Sequence, residues 1–206
     1  MLTAPLDPMP PIPVGPNHPG SFGIDRHKHV HTGVDLYAPH GSPVRAMEAG
    51  KVISVAWFTG LPVNMPWWND TAAVYVEGAS GVFNYGEIEE VFGLKNGDMV
   101  EQGQILGHVL TVLKHAKGRP MSMLHVELYD HGWTDTWGEW KIGEPKPVHL
   151  KDPTHPLLTI QGAAVADVDP YRDSAALYKE LNQKEREAWR QGRAEALQQL
   201  EEDAKK

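Results

Sequence analysis

With 206 residues, 27 acidic against 19 basic side chains and a formal net charge of -8, the chain is a poor match for a nucleic-acid backbone, which wants a basic face. It contains no cysteine, so no disulfide staples the fold, and any metal site must use His, Asp and Glu. No stretch approaches the roughly 20 apolar residues of a membrane span, and one main domain with an appendage is the expected organisation.

Residues 1–20, MLTAPLDPMPPIPVGPNHPG, read as a proline-rich arm, extended and draped over the body. They lack the basic start and apolar run of a secretory signal. The expectation is synthesis in the cytoplasm, with phage lysis or a secretion system as the route to the envelope. Residues 21–160 carry short β-branched and aromatic runs cut by glycine and proline: KVISVAWF (51–58), AAVYVEG (72–78), GVFNYGEI (81–88) and LHVELY (124–129). This spacing predicts a mainly β domain, a small antiparallel sheet or sandwich. Glu77-Gly78-Ala79-Ser80-Gly81 and Lys95-Asn96-Gly97-Asp98 are the hairpin signals. FTGLPVNMPWWNDT (58–71) and DHGWTDTWGEW (130–140) are expected loops. Trp67 and Trp68 are candidate substrate contacts, since indole offers a broad apolar face and a polar N–H. Trp133, Trp137 and Trp140 are candidates for an opposite wall. Beyond Asp169-Pro170, residues 170–206 hold good helix formers, with Leu177, Leu181, Trp189, Leu197 and Leu200 as a broken apolar stripe. A C-terminal α-helix is expected there, either solvated or used to engage a protein partner.

Two stretches carry the chemistry. In His31-Thr32-Gly33-Val34-Asp35 an imidazole and a carboxylate lie four residues apart around a glycine, which is expected to let the backbone turn so that both converge. On the strand 122–129, Met123, His125 and Glu127 share one face, and Leu124, Val126 and Leu128 the other. His and Asp are zinc ligands, and three protein ligands with an open fourth position are the layout of a catalytic zinc site. By spacing alone, these histidines read more readily as surface or core residues than as ligands.

HTGVDLYAPHGSPVRAMEAGKVISV (31–55), KNGDMVEQGQILGHV (95–109) and LHVEL (124–128) together resemble, in order, the motifs of the M23 zinc metallopeptidases. These are the LytM/lysostaphin type that cleaves peptide cross-links in bacterial cell walls. The resemblance implies a β-sheet domain with a groove across one face and one Zn2+ per chain. It implies His31, Asp35 and His125 as metal ligands and peptidoglycan or its peptide as substrate. Two further family histidines are missing. The first of the closing His-x-His pair falls on Met123, and the one after the Tyr-Gly pair falls on Glu87, behind Tyr85-Gly86. The pair of changes resembles a divergent branch of the family.

Methionine offers no useful proton chemistry and reads as a gap-filler. Glu87 has three readings: general base for a water nucleophile, direct metal ligand, or surface residue. Tyr85 and Met123 are candidate substrate contacts beside it, and Glu127 a partner orienting a ligand. His27, His29 and His115 are candidate replacements for a lost histidine; on an extended segment His27, His29 and His31 share a face. The leading expectation is a zinc peptidase with Glu87 as base, such as a phage lysin or an envelope-delivered effector. The alternatives are an inactive zinc- or peptidoglycan-binding module, or a structural component such as a phage particle protein.

Overall fold

The apolar runs pair as strands, and every pairing is antiparallel. The structure is a computed structural model that describes residues 1–15, 18–27, 29–90, 93–115, 121–133 and 139–160. The strands are β1 (Val34–Tyr37), β2 (Pro43–Arg45), β3 (Gly50–Thr59), β4 (Thr71–Gly78), β5 (Gly81–Glu90), β6 (Met99–Val100), β7 (Ile105–Val109), β8 (Met123–Tyr129) and β9 (Leu150–Lys151). They join one sheet in the order β1-β8-β5-β4-β3-β6, with β7 bridging β5 and β2, and β9 on β8. A short helix, α1 (Thr154–Ile160), follows. The helix expected over 170–206 lies outside the described residues. Among the described residues no helix is long and apolar enough to cross a membrane.

Alternation sorts the side chains of the central strands between two faces. On one face Val34, Leu36, Val74, Val76, Phe83, Tyr85, Leu124, Val126 and Leu128 form the main core, closed by Leu157 of α1. On the other, Tyr75, Val82 and Tyr129 build a smaller cluster with Leu150. Next to that cluster, the same face of β1 and β8 carries Asp35, His125 and Glu127. The Gly78–Gly81 hairpin forms as expected. The Lys95–Asp98 turn also forms, but it abuts β3 rather than joining two paired strands, with Gly97 N–H donating to Val52 O and Asn96 Oδ1 accepting from Val55 N–H.

The proline-rich arm does more than drape. Leu6 and Ile12 are buried members of the main core, and Leu2, Met9 and Val14 pack against it. Thr3 N–H donates to Met47 O, and Arg45 N–H to Pro5 O. Prolines suit this role because an extended segment with few N–H groups leaves few donors to satisfy when it is buried. Leu6→Ala should therefore destabilise the fold by about 2–5 kcal/mol, the usual cost of emptying a leucine site in a core, read as a lower denaturant midpoint. An arm that merely covered the surface would show a change within about 0.5 kcal/mol.

Candidate metal centre and active site

His31, Asp35 and His125 come together from β1, the turn before it, and β8. The register Asp35↔His125 sets the last two side by side on one face. His31 Nε2 lies 3.1 Å from His125 Nδ1 and 3.1 Å from Asp35 Oδ1, and His125 Nδ1 lies 2.9 Å from Asp35 Oδ1. All three residues are buried.

Gly33 makes this closeness possible, though for a different reason from the expected turn. A Cβ there would sit 2.4 Å from Val126 O and 2.8 Å from the His125 ring. The position is glycine because the imidazole of the neighbouring strand occupies the space a side chain would need. On its other sides, the His125 ring has Phe58 at a centroid distance of 5.3 Å and His31 at 5.0 Å. Phe58 has room because it lies over Gly86, whose Cβ would meet the phenyl ring at 2.8 Å.

Each ligand side chain is oriented from behind. His31 Nδ1 is 2.8 Å from Ser21 O, so a neutral ring that places its one N–H there leaves the Nε2 lone pair for a metal, whereas the protonated ring donates from Nε2 to Asp35. His125 Nε2 lies 3.2 Å from Glu127 Oε1. Glu127 itself accepts hydrogen bonds from Thr32 Oγ1, Asn84 Nδ2 and Tyr129 OH. Burial opposes its charge, but His125 and these donors outweigh burial and hold Glu127 down to about 2. Burial likewise disfavours the His125 imidazolium, and the bond to Asp35 with the nearby Glu127 and Asp35 charges overcomes it, raising the ring to about 10. Burial lowers His31. For Asp35 the burial penalty is outweighed by His31 and Arg26, with hydrogen bonds from both histidines adding to them, so its carboxyl falls well below the usual range.

These residues fit a zinc ion. Three ligand atoms form a triangle with edges of 2.9, 3.1 and 3.1 Å. A tetrahedral zinc with bonds of 2.0–2.1 Å sets such edges at about 3.3 Å, a small outward adjustment. The His2Asp set is borderline-soft nitrogen with one carboxylate, as zinc prefers.

Glu87 reaches the same region by a break in β5. Val82–Gly86 pair with β8, whereas Ile88–Glu90 pair with β7. Opposite, Ala73 pairs with Gly86 and Ala72 with Ile88, so Glu87 is the extra residue of a bulge. Its φ is 64°, a left-handed conformation that costs a non-glycine residue about 1–3 kcal/mol and gathers at functional sites. Regular alternation would send Glu87 into the core beside Tyr85; the bulge releases it from that alternation, and Asp35, His125 and Arg26 are among its electrostatic neighbours. It is buried, and Oε2 has no hydrogen-bond partner among the described residues. Burial, and next the Asp35 charge, push it up to about 8. It falls outside the group of ligand atoms that lie within 4.8 Å of one another, which comprises His31, Asp35 and His125.

The other expected residues divide. Tyr85 is corrected: it is fully buried in the main core, on the opposite face of β5, and its hydroxyl accepts from Met47 N–H at 2.8 Å. It is placed to support the fold and does not reach substrate. Tyr85→Phe should accordingly cost about 1–3 kcal/mol of stability through the stranded Met47 N–H, with the Michaelis constant unchanged. Met123 is half-buried at the end of β8, two residues from His125. Trp67 is exposed, and Trp68 is half-buried and bridged to Leu113. Their loop is tied to the one after β7 by Asn69, whose N–H donates to Val112 O and whose Nδ2 donates to Thr111 O. That second loop begins where Leu110 N–H meets Glu87 O. Trp133 stacks on Tyr129 at 3.8 Å, and Trp140 packs on Phe22 and bridges Val30. Trp137 lies outside the described residues.

Residues 25–27 and 29–30 fold back on each other rather than run extended. Arg26 N–H donates to His29 O, and Asp25 bridges Val30. His27, at φ 69°, is exposed, and so is His115. His29 is half-buried, lowered by burial and then by Arg26, and its weaker electrostatic neighbours include His125 and Asp35. Arg26, Thr32, Asn84 and Phe58 escaped the sequence reading. The one signal was an asparagine inside the apolar run GVFNYG, where a buried amide needs partners.

The sequence profile of peptidase family M23 matches residues 29–135, just over half of the chain. No curated protein matches. Three solved structures are similar in fold. A peptidase M23 from Pseudomonas aeruginosa is 22% identical, with 62% of this chain and 44% of that one covered and a TM-score of 0.40. The catalytic domain of the antimicrobial peptidase lysostaphin from Staphylococcus simulans is 20% identical, covering 72% and 87%, TM-score 0.42. A zinc-containing peptidase from Vibrio cholerae is 23% identical, covering 60% and 35%, TM-score 0.41. The chain thus spans less than half the length of the first and last of these.

Proposed function

The chain belongs to peptidase family M23, whose members are zinc-dependent, and we propose that it is a zinc peptidase that hydrolyses peptide cross-links of bacterial peptidoglycan, with one Zn2+ per chain. The observation that carries this reading is the convergence of His31 Nε2, Asp35 Oδ1 and His125 Nδ1, with the buried Glu87 carboxyl in electrostatic reach of Asp35 and His125.

His31, Asp35 and His125 would hold the ion. When bound, it supplies a Lewis acid for the scissile carbonyl and makes a water more acidic. Glu127, anchored by three donors, keeps the His125 ring turned so that Nδ1 faces the other ligands. Glu87 takes the proton of the attacking water and returns it to the departing amine. A carboxylate can do this because its pKa needs only to lie near the working pH, and burial supplies that shift. Its position outside the ligand group supports a proton-carrying role over direct ligation. Trp67, Trp68 and Met123 contact the substrate on the rim and floor.

Incubation of the zinc-loaded protein with purified peptidoglycan tests the reading. Expected is release of new amino groups, lost with a chelator and restored by zinc. Retention on peptidoglycan without release would instead support a binding module. Neither retention nor release would overturn the assignment in favour of a structural role.

A further inference from the structure

The family match begins at residue 29, yet three consecutive carbonyls of the preceding segment hold Arg26, the Asp35 backbone and the His31 ring. Pro19 O accepts from Arg26 Nε at 3.1 Å and Nη2 at 2.6 Å. Gly20 O accepts from Asp35 N–H at 2.9 Å, and Ser21 O faces His31 Nδ1 at 2.8 Å. Arg26 Nη2 also donates to Asp35 Oδ2 in an ion pair.

We infer that Arg26 is a positioning residue that holds Asp35 to a single metal-binding oxygen, an inference that rests on the metal reading above. A carboxylate can bind a cation through one oxygen or both. Here the two oxygens are committed to different partners. Oδ1 faces His31 and His125, while Oδ2 is taken by the guanidinium. The guanidinium cannot simply follow a rotating carboxylate, because Pro19 O grips it through two nitrogens of its rigid fork. The Asp35 side chain is buried and Arg26 is 29% exposed, so the pair works where solvent screening is reduced. A one-oxygen Asp35 leaves three protein ligands and an open position for water or a carbonyl oxygen. A two-oxygen Asp35 would crowd that position.

Cobalt is the probe, because its d–d bands are most intense in four-coordinate sites, intermediate in five-coordinate ones and weak in six-coordinate ones. The full chain, freed of metal by a chelator, is titrated with Co2+ as the parent, as Arg26→Ala and as Arg26→Met, which keeps the stem but no donor. The parent is expected to give the intense four-coordinate spectrum. Both variants are expected to fall to the intermediate intensity of a five-coordinate site at full cobalt occupancy while circular dichroism stays unchanged. Arg26→Lys, whose ammonium can still donate to Oδ2, is expected to retain it. A folded Arg26→Ala or Arg26→Met with the parent spectrum would overturn this inference and leave the metal reading standing. No cobalt uptake by the parent would overturn both.

Discussion

Replacing His125 with alanine should abolish zinc retention and, with it, release of amino groups from peptidoglycan. Loss of an outer partner of a ligand costs about 10–100-fold in metal affinity, and loss of one of only three ligands should exceed the upper end of that range. The geometry adds a second consequence. His125 stands between two buried carboxylates, Asp35 at 2.9 Å from Nδ1 and Glu127 at 3.2 Å from Nε2. Removing the ring leaves both facing a void beside Gly33 and Phe58. Breaking a buried ionic pair typically costs about 3–5 kcal/mol. The variant should thus unfold at lower denaturant even in the metal-free state, where zinc contributes nothing. Equilibrium dialysis and a metal-free unfolding curve, run side by side, separate the two effects. Full zinc binding by a folded His125→Ala protein would show that the ion sits elsewhere.

Glu87→Gln should cut turnover about 10²–10⁴-fold, the usual contribution of a placed general base, while zinc content stays at that of the parent. The amide has the same shape and can occupy the same bulge, so the left-handed backbone at φ 64° is undisturbed. Stability should change little, because the amide keeps the shape of the side chain and takes over a buried position that already lacks a hydrogen-bond partner among the described residues. The combination is the diagnostic. A fall in zinc affinity equal to the fall in turnover would make Glu87 a ligand, and unchanged turnover would leave it without a role.

The strand from Met123 to Tyr129 was legible because period-two alternation is local and leaves its mark on seven residues. The convergence of His31, Asp35 and His125 was not legible from spacing, since it depends on which strands pair across ninety residues of chain. Only the ordered motifs of the family resemblance pointed to it. The same motifs marked Gly33, but its physical reason, the close approach of the His125 ring, belongs to the neighbouring strand. Tyr85 shows how the reading went astray. On a regular strand Tyr85 and Glu87 share a face, so choosing both for the site was consistent. A bulge at Glu87 breaks that parity: Tyr85 stays in the core, while Glu87 has Asp35 and His125 among its electrostatic neighbours. Nothing in Tyr-Gly-Glu announces a left-handed glutamate. Arg26 stayed hidden for a similar reason: its partners, a backbone carbonyl seven residues before it and a carboxylate nine residues after it, are brought near only by the fold.

Anomalous diffraction at the zinc edge, from crystals of protein grown with zinc, tests the arrangement most directly. The expected result is one strong peak about 2.0–2.2 Å from His31 Nε2, Asp35 Oδ1 and His125 Nδ1, with the Glu87 carboxylate beyond bonding distance. A peak bonded to Glu87 in the fourth position, or no peak among these three side chains, would contradict it.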